Sequence, residues 1–378
     1  MPDVFTETTS QGFFSRLGGS FAGLLIGPLL VIGAIILLSW NEGRAVQAIV
    51  GLKSAQSQTI EAAADQVAPA NEGKLVHVVG PAAASQPIAD SDLGIDFSNQ
   101  VAVSRTVEMY QWREKSESSK KDELGGGQTT TTTYTYTMAW SASPQDSSSF
   151  HHPDGHANPE MPFRSQNYVA ADAKLGGYAL DSGTLGQIEL TQPLAPEPPS
   201  GWTSSGGQLN KGDPAAPKVG DLRVRYTGLA SGATISVLAA QSHGGFAPFV
   251  TANGYSVHLA EPGNVTTAAM IANKRHAESM LTWILRGVGA FVIFLGFALF
   301  FGPISTFASV VPFLGGLARG AVGFLAFVLA VPVTLIVIAI AWISFRPVVG
   351  GGLLVAALLA AILLWRWHAA RRPAAKPA

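Results

Sequence analysis

The sequence predicts an integral membrane protein in which four α-helical spans anchor a large β-rich (α+β) extracytoplasmic domain, inserted between the first and second spans. Three observations support this fold class. Charged residues make up only 13% of the 378-residue chain, against about 25% in an ordinary globular protein. Long apolar runs account for the missing charge. The remaining charges are unevenly divided, because residues 41–280 hold 16 basic and 23 acidic residues and the two flanks hold 8 basic and 2 acidic residues.

Four apolar runs predict the membrane spans, because a helix needs about 20 apolar residues to cross the hydrocarbon core. Trp40, Trp283 and Trp342 lie near the ends of the first three runs, as aromatic residues at a membrane interface do. The stretch between the second and third runs is broken by Pro303 and Pro312, which favours an interfacial or re-entrant segment. The predicted spans are 21–40, 283–301, 321–345 and 350–367, and the interfacial segment is 302–320.

Basic residues in the flanks predict the orientation of the chain. Four spans place both termini on one side, and the C-terminal tail is basic, as is Arg16 before the first span. Basic residues collect on the cytoplasmic side, so residues 1–20 and 368–378 are expected to be cytoplasmic and the acidic block 41–280 extracytoplasmic or lumenal. The first run is longer than the apolar core of a signal peptide, which favours an uncleaved anchor.

Alternating residues within the block 41–280 predict β-strands. Residues 101–116 and 129–143 both alternate and together predict a long hairpin, and the polar, glycine-rich residues between them indicate a floppy tip. Two helical stretches, 41–64 and 264–280, are expected to continue the first and second spans into the domain.

The composition excludes several classes of protein. The chain has no cysteine, which rules out a disulfide scaffold, an iron–sulfur protein and a cysteine nucleophile. The acidic block gives no support to nucleic-acid binding. Motifs of zinc proteases, serine hydrolases and nucleotide-binding loops do not occur. The spans carry no acidic, lysine or histidine residue at mid-depth, which disfavours a transporter. We expect no enzymatic activity and no cofactor.

A stripe of small residues follows one face of the first span. Gly19, Gly23 and Gly27 recur every four residues, and such a stripe lets another helix approach closely. Glycine is common in membrane helices, so chance placement is the alternative. The pattern does not say whether the second helix would belong to the same chain or to another copy.

A loop rich in proline and glycine holds a cluster of histidines. His151, His152 and His156, with Asp154 among them, could bind zinc or copper through their imidazoles. Solvated histidines of a surface loop explain the same pattern, and in a structural variant His156 and Asn158 brace the loop by hydrogen bonds.

Short motifs along the chain resemble those of one known family. They are Asn41–Ala45 (NEGRA), Asn71–Gly80 (NEGKLVHVVG), Val107–Trp112 (VEMYQW), Tyr134–Trp140, Gly155–Pro159 (GHANP) and Val219–Val224 (VGDLRV). In this order they resemble the LUMA, or transmembrane protein 43, family of four-pass membrane proteins over nearly the whole chain. The motif residues taken as candidate site residues are Asn41, Glu42, Gly43, Arg44, Asn71, Glu72, Gly73, Glu108, Tyr110, Trp112, His156, Asn158 and Pro159.

The resemblance implies one large domain between spans one and two and no enzymatic activity. Eukaryotic members are proteins of the endoplasmic reticulum and inner nuclear membrane, described as self-associating organisers that contact lamins and emerin. The cysteine-free, Ala/Gly-rich composition departs from that pattern and indicates a bacterial member. The lamina partners would then not carry over, and the domain would be periplasmic beside a cytoplasmic membrane.

We therefore predict a non-enzymatic membrane scaffold that lies in the lipid bilayer, forms a homo-oligomer and binds other membrane proteins through its extracytoplasmic domain. Two alternatives stay open. One is a metal-binding or hydrolytic domain that uses the histidine loop 151–156. The other is a regulator of a channel or transporter.

Overall fold

The computed structural model describes residues 3–343 and a few separate positions between 351 and 366. These residues form two compact units. The β-rich unit comprises the residues up to Thr6, Val50–Glu117 and Thr133–Lys274, and the helical unit comprises Glu7–Ile49, Ser118–Thr132 and the chain from Arg275 onward. The predicted fourth span, 350–367, lies for the most part outside the described residues, and the predicted basic tail 368–378 lies outside them entirely.

Among the described residues, three helices are long and apolar enough to cross a membrane. The predicted combination of apolar helices with a large β-rich domain is confirmed, and the number of four spans stays a prediction. The first predicted span and the stretch that follows it make one continuous helix, as do the second span and the stretch before it. The helices are α1 (Phe13–Gln58), α2 (Ser182–Leu185), α3 (Thr267–Phe300), α4 (Gly302–Ala308) and α5 (Pro312–Ile343).

The predicted interfacial segment 302–320 is divided between two helices. Its first part is the short helix α4, and its second part is the beginning of α5. Pro312 starts α5 instead of breaking it, because a proline in the first helical turn loses no hydrogen bond that the helix would make. The third long helix therefore begins ahead of the predicted boundary at 321. Its depth in the membrane stays a prediction.

Strands make up most of the β-rich unit. They are β1 (Asp3–Gln11), β2 (Ile60–Ala62), β3 (Leu75–Ala83), β4 (Ile88–Asp90), β5 (Ile95–Phe97), β6 (Gln100–Asp122), β7 (Gln128–Ser141), β8 (Gln166–Val169), β9 (Lys174–Leu175), β10 (Tyr178–Ala179), β11 (Gln192–Leu194), β12 (Thr203–Ser205), β13 (Gln208–Lys211), β14 (Leu222–Ala230), β15 (Thr234–Ser242), β16 (Gly245–Ala247), β17 (Phe249–Val250), β18 (Ser256–Val257) and β19 (Leu259–Pro262).

Two large sheets contain most of these strands. An eight-stranded sheet has the order β1-β7-β6-β14-β13-β12, with β11 also paired to β14 and β8 to β6. A seven-stranded sheet has the order β10-β9-β3-β15-β16, with β19 paired to β15 and β2 to β3. The strands β4 and β5, and likewise β17 and β18, form separate two-stranded pairs.

Strand β15 separates two apolar clusters, because successive side chains of a strand point to opposite faces of its sheet. Val237 lies in the main core, which draws buried residues from both large sheets. Its neighbour Leu238 lies in a second cluster, with Leu52 of α1 and Met270 of α3. The end of α1 and the start of α3 thus pack on the seven-stranded sheet.

The β6–β7 hairpin differs from its prediction at the tip and at its free edge. Strand β6 runs on to Asp122 and β7 begins at Gln128, so a short turn replaces the expected floppy loop. The turn is closed by hydrogen bonds between the backbones of Glu123 and Gly127 (2.8 Å) and of Gly126 and Glu123 (3.1 Å). Strand β1, within the predicted cytoplasmic segment 1–20, pairs with β7. The sequence pattern did not predict this strand.

A buried ion pair joins Arg105 of β6, a strand of the eight-stranded sheet, to Asp90 of β4. The Arg105 guanidinium donates to Asp90 (2.5 Å) and to Asp92 (2.7 Å), and the Tyr226 hydroxyl donates to the other Asp90 oxygen (2.6 Å). Burial alone would raise the pKa of Asp90, but the hydrogen bonds from Tyr226 and Arg105 and the guanidinium charge outweigh it and hold that pKa below its usual value. The pair is therefore charged and well hydrogen-bonded.

Removal of Asp90 is expected to destabilise the protein far more than removal of Asp92, although both carboxylates bind Arg105. Asp90→Ala leaves a buried guanidinium and a buried hydroxyl unpaired, which should lower the free energy of unfolding by about 3–5 kcal/mol. The Asp92 side chain is 47% exposed, so Asp92→Ala should cost about 0–1 kcal/mol. Denaturant unfolding of the full chain in mild detergent, followed by tryptophan fluorescence, measures both. Equal losses would contradict the prediction.

Candidate functional site

The motif residues Asn41–Arg44 lie on the part of α1 that faces α3 and α5. Glu42 is fully buried, and its two carboxylate oxygens accept hydrogen bonds from Arg286 of α3 at 2.6 and 2.7 Å. The Trp342 indole of α5 donates to the same carboxylate. One acidic side chain therefore binds three helices together. We call Glu42, Arg286 and Trp342, together with Arg44 and its partners Glu278 and Thr282, the polar clamp.

Within the polar clamp, Arg44 contacts α3, and Asn41 makes a further contact with the same helix. Arg44 forms an ion pair with Glu278 and donates to the Thr282 hydroxyl at 3.2 Å. The Asn41 amide donates to the Thr282 backbone carbonyl at 3.1 Å. Gly43 has open space where a Cβ would lie, so no close contact explains a glycine there.

Aromatic rings cover the charge of the polar clamp. The Arg286 guanidinium lies over the rings of Trp283 (4.7 Å) and Trp342 (5.8 Å), where the ring faces attract a cation. Bidentate pairing to Glu42 satisfies the same guanidinium. The arrangement fixes helices in place. It does not resemble a proton path, because the Glu42 carboxylate is held by Arg286 and Trp342.

Part of the polar clamp is recognisable in the sequence. Arg286 interrupts the second apolar run, and a charged residue in such a run needs a partner. Glu42 was part of a motif, but nothing in the pattern linked it to Arg286 or Trp342. Glu278 and Thr282 belong to no motif, so no sequence pattern predicts their contacts with Arg44.

Two glycines of the predicted stripe contact α3. A Cβ on Gly23 would lie 2.5 Å from the Leu299 carbonyl oxygen, and one on Gly27 would lie 2.5 Å from the Gly296 carbonyl oxygen. Such distances exclude any larger side chain unless the helices separate. Gly19 has no atom within 4 Å of its Cβ position. The contacts seen at Gly23 and Gly27 are between helices of one chain.

Three motif residues of the β-rich unit meet where β6 passes the loop 151–159. The Asn158 amide accepts from the Trp112 backbone N–H at 2.7 Å and donates to its carbonyl at 3.0 Å, much as a neighbouring strand would. The Trp112 ring meets the buried His156 ring edge-on at 4.7 Å. Pro159 packs beside Gly220, where an added Cβ would lie 3.2 Å from the proline ring. These contacts brace the loop against the hairpin.

His156 binds protein acceptors at both ring nitrogens. Nδ1 lies 2.9 Å from the His152 carbonyl oxygen, and Nε2 lies 3.3 Å from the Asp3 carboxylate. While these contacts hold, His156 has no nitrogen free for a metal ion. The His151 ring stacks on Tyr134 at 4.2 Å and the His152 ring stacks on Phe5 at 4.4 Å.

Tyr136 packs against His156 and links the hairpin to the loop. Its ring stacks on His156 at 4.0 Å, and its buried hydroxyl donates to Glu114 at 2.6 Å and accepts from the His152 backbone at 2.9 Å. Burial, reinforced by the Glu114 carboxylate, raises the pKa of Tyr136 to about 12. The phenol is therefore neutral and serves as a hydrogen-bonding bridge between the hairpin and the loop.

The remaining motif residues stabilise strands. Glu108 pairs with Arg223 across β6 and β14 at 2.6 Å, and Tyr110 packs on Trp140 at 5.3 Å.

The positive φ of Gly73 (74°) explains the glycine of the second motif. Asn71 ends a short 3₁₀ turn before β3, and the Glu72 carboxylate, next in the chain, accepts from the His243 backbone at 2.9 Å.

Comparison with known proteins agrees with this set of motifs. The sequence model of a family described as "Transmembrane protein 43" matches residues 109–347. The human transmembrane protein 43 is 30% identical over 91% of this chain and 90% of its own. The mouse protein is 29% identical over 90% and 89%, and the Drosophila melanogaster homolog is 30% identical over 88% and 91%. No solved structure matches the chain.

The chain belongs to the transmembrane protein 43 family. The predicted family is thereby confirmed, and the chain is an integral membrane protein. The matched span contains the Trp112–Asn158 contact and the α3 and α5 partners of the polar clamp. Residues 41–44 precede that span.

Exchange of Glu42 tests the polar clamp. Glu42→Met leaves the Arg286 guanidinium buried without its counter-charge, which should cost about 3–5 kcal/mol of stability. The double variant Glu42→Met/Arg286→Met removes both charges and should recover most of that loss. Thermal unfolding of the detergent-solubilised variants measures both. Losses that simply add would show that the two side chains do not act as a pair.

Substitution along α1 tests the glycine contacts. Gly27→Val should force α1 and α3 apart and cost about 1–3 kcal/mol. Gly33→Val is the matched control, because Gly33 lies on the same helix with no atom within 4 Å of its Cβ position. The same thermal unfolding experiment compares them. A loss at Gly33 as large as at Gly27 would indicate that helix propensity is responsible.

Proposed function

We propose that the protein is a non-enzymatic membrane scaffold that self-associates and holds other membrane proteins beside it. The observation that carries the proposal is the position of β1. This nine-residue strand is the last in the order of its sheet, and it pairs with β7 alone among the described strands.

The character of β1 fits pairing with another strand. An edge strand presents unpaired backbone groups, and proteins that avoid association blunt such edges with charged side chains, above all lysine, with proline or with bulges. The only charges of β1 are the two carboxylates of Asp3 and Glu7. The sequence of β1 is DVFTETTSQ, with no lysine and no proline, and Val4 is 55% exposed. Threonine and valine favour extended structure. A strand from a second copy is the partner we propose.

The side chains of the motifs support a structural role in place of catalysis. Glu42 binds Arg286 and Trp342, Asn158 binds the Trp112 backbone, and His156 binds two protein acceptors. Each of these polar groups joins one element of the chain to another. A catalytic group instead needs a position from which it can reach a substrate.

We also propose a membrane topology and a location for the protein. The chain crosses the membrane four times, with the bulk of the block 41–280 on the extracytoplasmic side, because the flanks are basic and the block is acidic. The absence of cysteine and the Ala/Gly-rich composition favour a bacterial cytoplasmic membrane with a periplasmic domain.

Cross-linking tests the self-association. The chain has no cysteine, so a single Thr8→Cys in β1 provides a unique thiol for a short bis-maleimide linker in intact membranes. We expect a covalent dimer, since paired β1 strands would bring two copies of position 8 within reach. Ala216→Cys, in an exposed loop, is the control and should give little dimer. A strictly monomeric protein that yields no dimer at position 8 would refute the proposal.

A further inference from the structure

The tip of the β6–β7 hairpin belongs to the helical unit, where ion pairs hold it to two of the long helices. Asp122, whose side chain is only 3% exposed, forms ion pairs with Arg16 of α1 (3.1 Å) and Arg319 of α5 (2.5 Å). Gln128 donates to the same carboxylate at 3.0 Å. The hydrogen bonds and charges of these groups outweigh burial and lower the pKa of Asp122. A carboxylate shared by two guanidiniums stays ionised.

Backbone contacts add to this attachment. The Arg16 guanidinium donates to the carbonyl oxygens of Gly126 (2.6 Å) and Gly127 (3.2 Å), and the Gly125 N–H donates to the Val310 carbonyl at 3.2 Å. A Cβ on Gly126 would lie 2.5 Å from the Phe13 ring, and its φ is +83°. Only glycine fits there, which accounts for the glycine-rich tip. We call Asp122–Gln128 with Arg16 and Arg319 the tip latch.

The tip latch and the polar clamp lie at opposite ends of two helices. Arg16 and Glu42 are both on α1 and are separated by about 39 Å at 1.5 Å per residue. Arg319 and Trp342 are both on α5 and are separated by about 35 Å. Both distances match a hydrocarbon core of about 30 Å with its interfaces. Large exposed apolar side chains lie between the ends, among them Leu25 (74%) on α1 and Phe324 (70%) on α5.

We propose that the tip latch holds the hairpin tip at the membrane face where α1 begins, opposite to the face at which the polar clamp lies. The insertion 41–280 is then not confined to one side of the membrane. The placement requires that α1 and α5 cross the bilayer, but it does not depend on self-association.

With the tip at this position, polar residues of β6 and β7 lie beside the apolar parts of the helices. Ser118–Lys121 and Thr129–Thr132 belong to the helical unit and are polar. Where such residues lie at the depth of apolar helices, they need protein or water around them, because lipid offers no hydrogen bonds.

Side-specific labelling tests the placement in a chain that has no cysteine of its own. Three single variants at exposed positions are compared: Leu124→Cys at the tip, Gly12→Cys beside the start of α1, and Ala277→Cys beside the polar clamp. A membrane-impermeant maleimide is added to intact cells and to permeabilised cells. We expect Leu124→Cys and Gly12→Cys to share one pattern and Ala277→Cys to show the reverse. If Leu124→Cys follows Ala277→Cys, or if all three agree, the placement is wrong.

Limited proteolysis tests the latch itself. Trypsin applied from the Gly12 side should cut after Lys120 or Lys121 slowly in the parent chain. Asp122→Asn removes the charge that binds two arginines, and cleavage should become faster by about tenfold or more. Glu123→Gln is the matched control, because Glu123 is an adjacent, exposed carboxylate. Equal cleavage rates in the two variants would exclude the latch.

Discussion

The structure of the helical unit depends on one constraint: a charge in an apolar helix bundle must be neutralised where it lies. Glu42 and Arg286 meet this constraint for each other, and Trp342 donates to the same carboxylate. Because water cannot replace these partners in a low-dielectric environment, the pair sets which faces of α1, α3 and α5 meet. The close contacts of Gly23 and Gly27 with α3 then become possible along the same pair of helices.

In the β-rich unit, buried polar groups also need partners, and they find them in hydrogen bonds to other groups of the same chain. Asp90 and Tyr226 satisfy Arg105 inside the core, and the Asn158 amide satisfies the Trp112 backbone where β6 passes the loop. In both units these buried polar groups join distant parts of the sequence.

Much of the fold could be predicted from local patterns, and most of the errors concern residues whose partners lie far away in the sequence. Apolar runs predict the long helices, and alternation of Thr with Tyr134 and Tyr136 predicts the hairpin. The patterns did not predict that Pro312 would begin a helix, that residues 3–11 would form a strand, or that β6 would extend to Asp122. Two of these depend on partners distant in sequence: Asp122 is stabilised by Arg16 and Arg319, and β1 by β7. Pro312 instead begins α5 by a local effect, because a proline in the first helical turn loses no hydrogen bond.

The sequence by itself determined that the chain is a membrane protein of this family with a β-rich insertion, because hydropathy, alternation and short motifs are properties of neighbouring residues. Only the tertiary structure decided that Glu42 binds Arg286, that His156 is occupied by Asp3 and the His152 carbonyl, and that Asp122 binds two arginines. Pairing of charges and hydrogen-bonding groups depends on distance in space, which the order of residues along a chain does not specify.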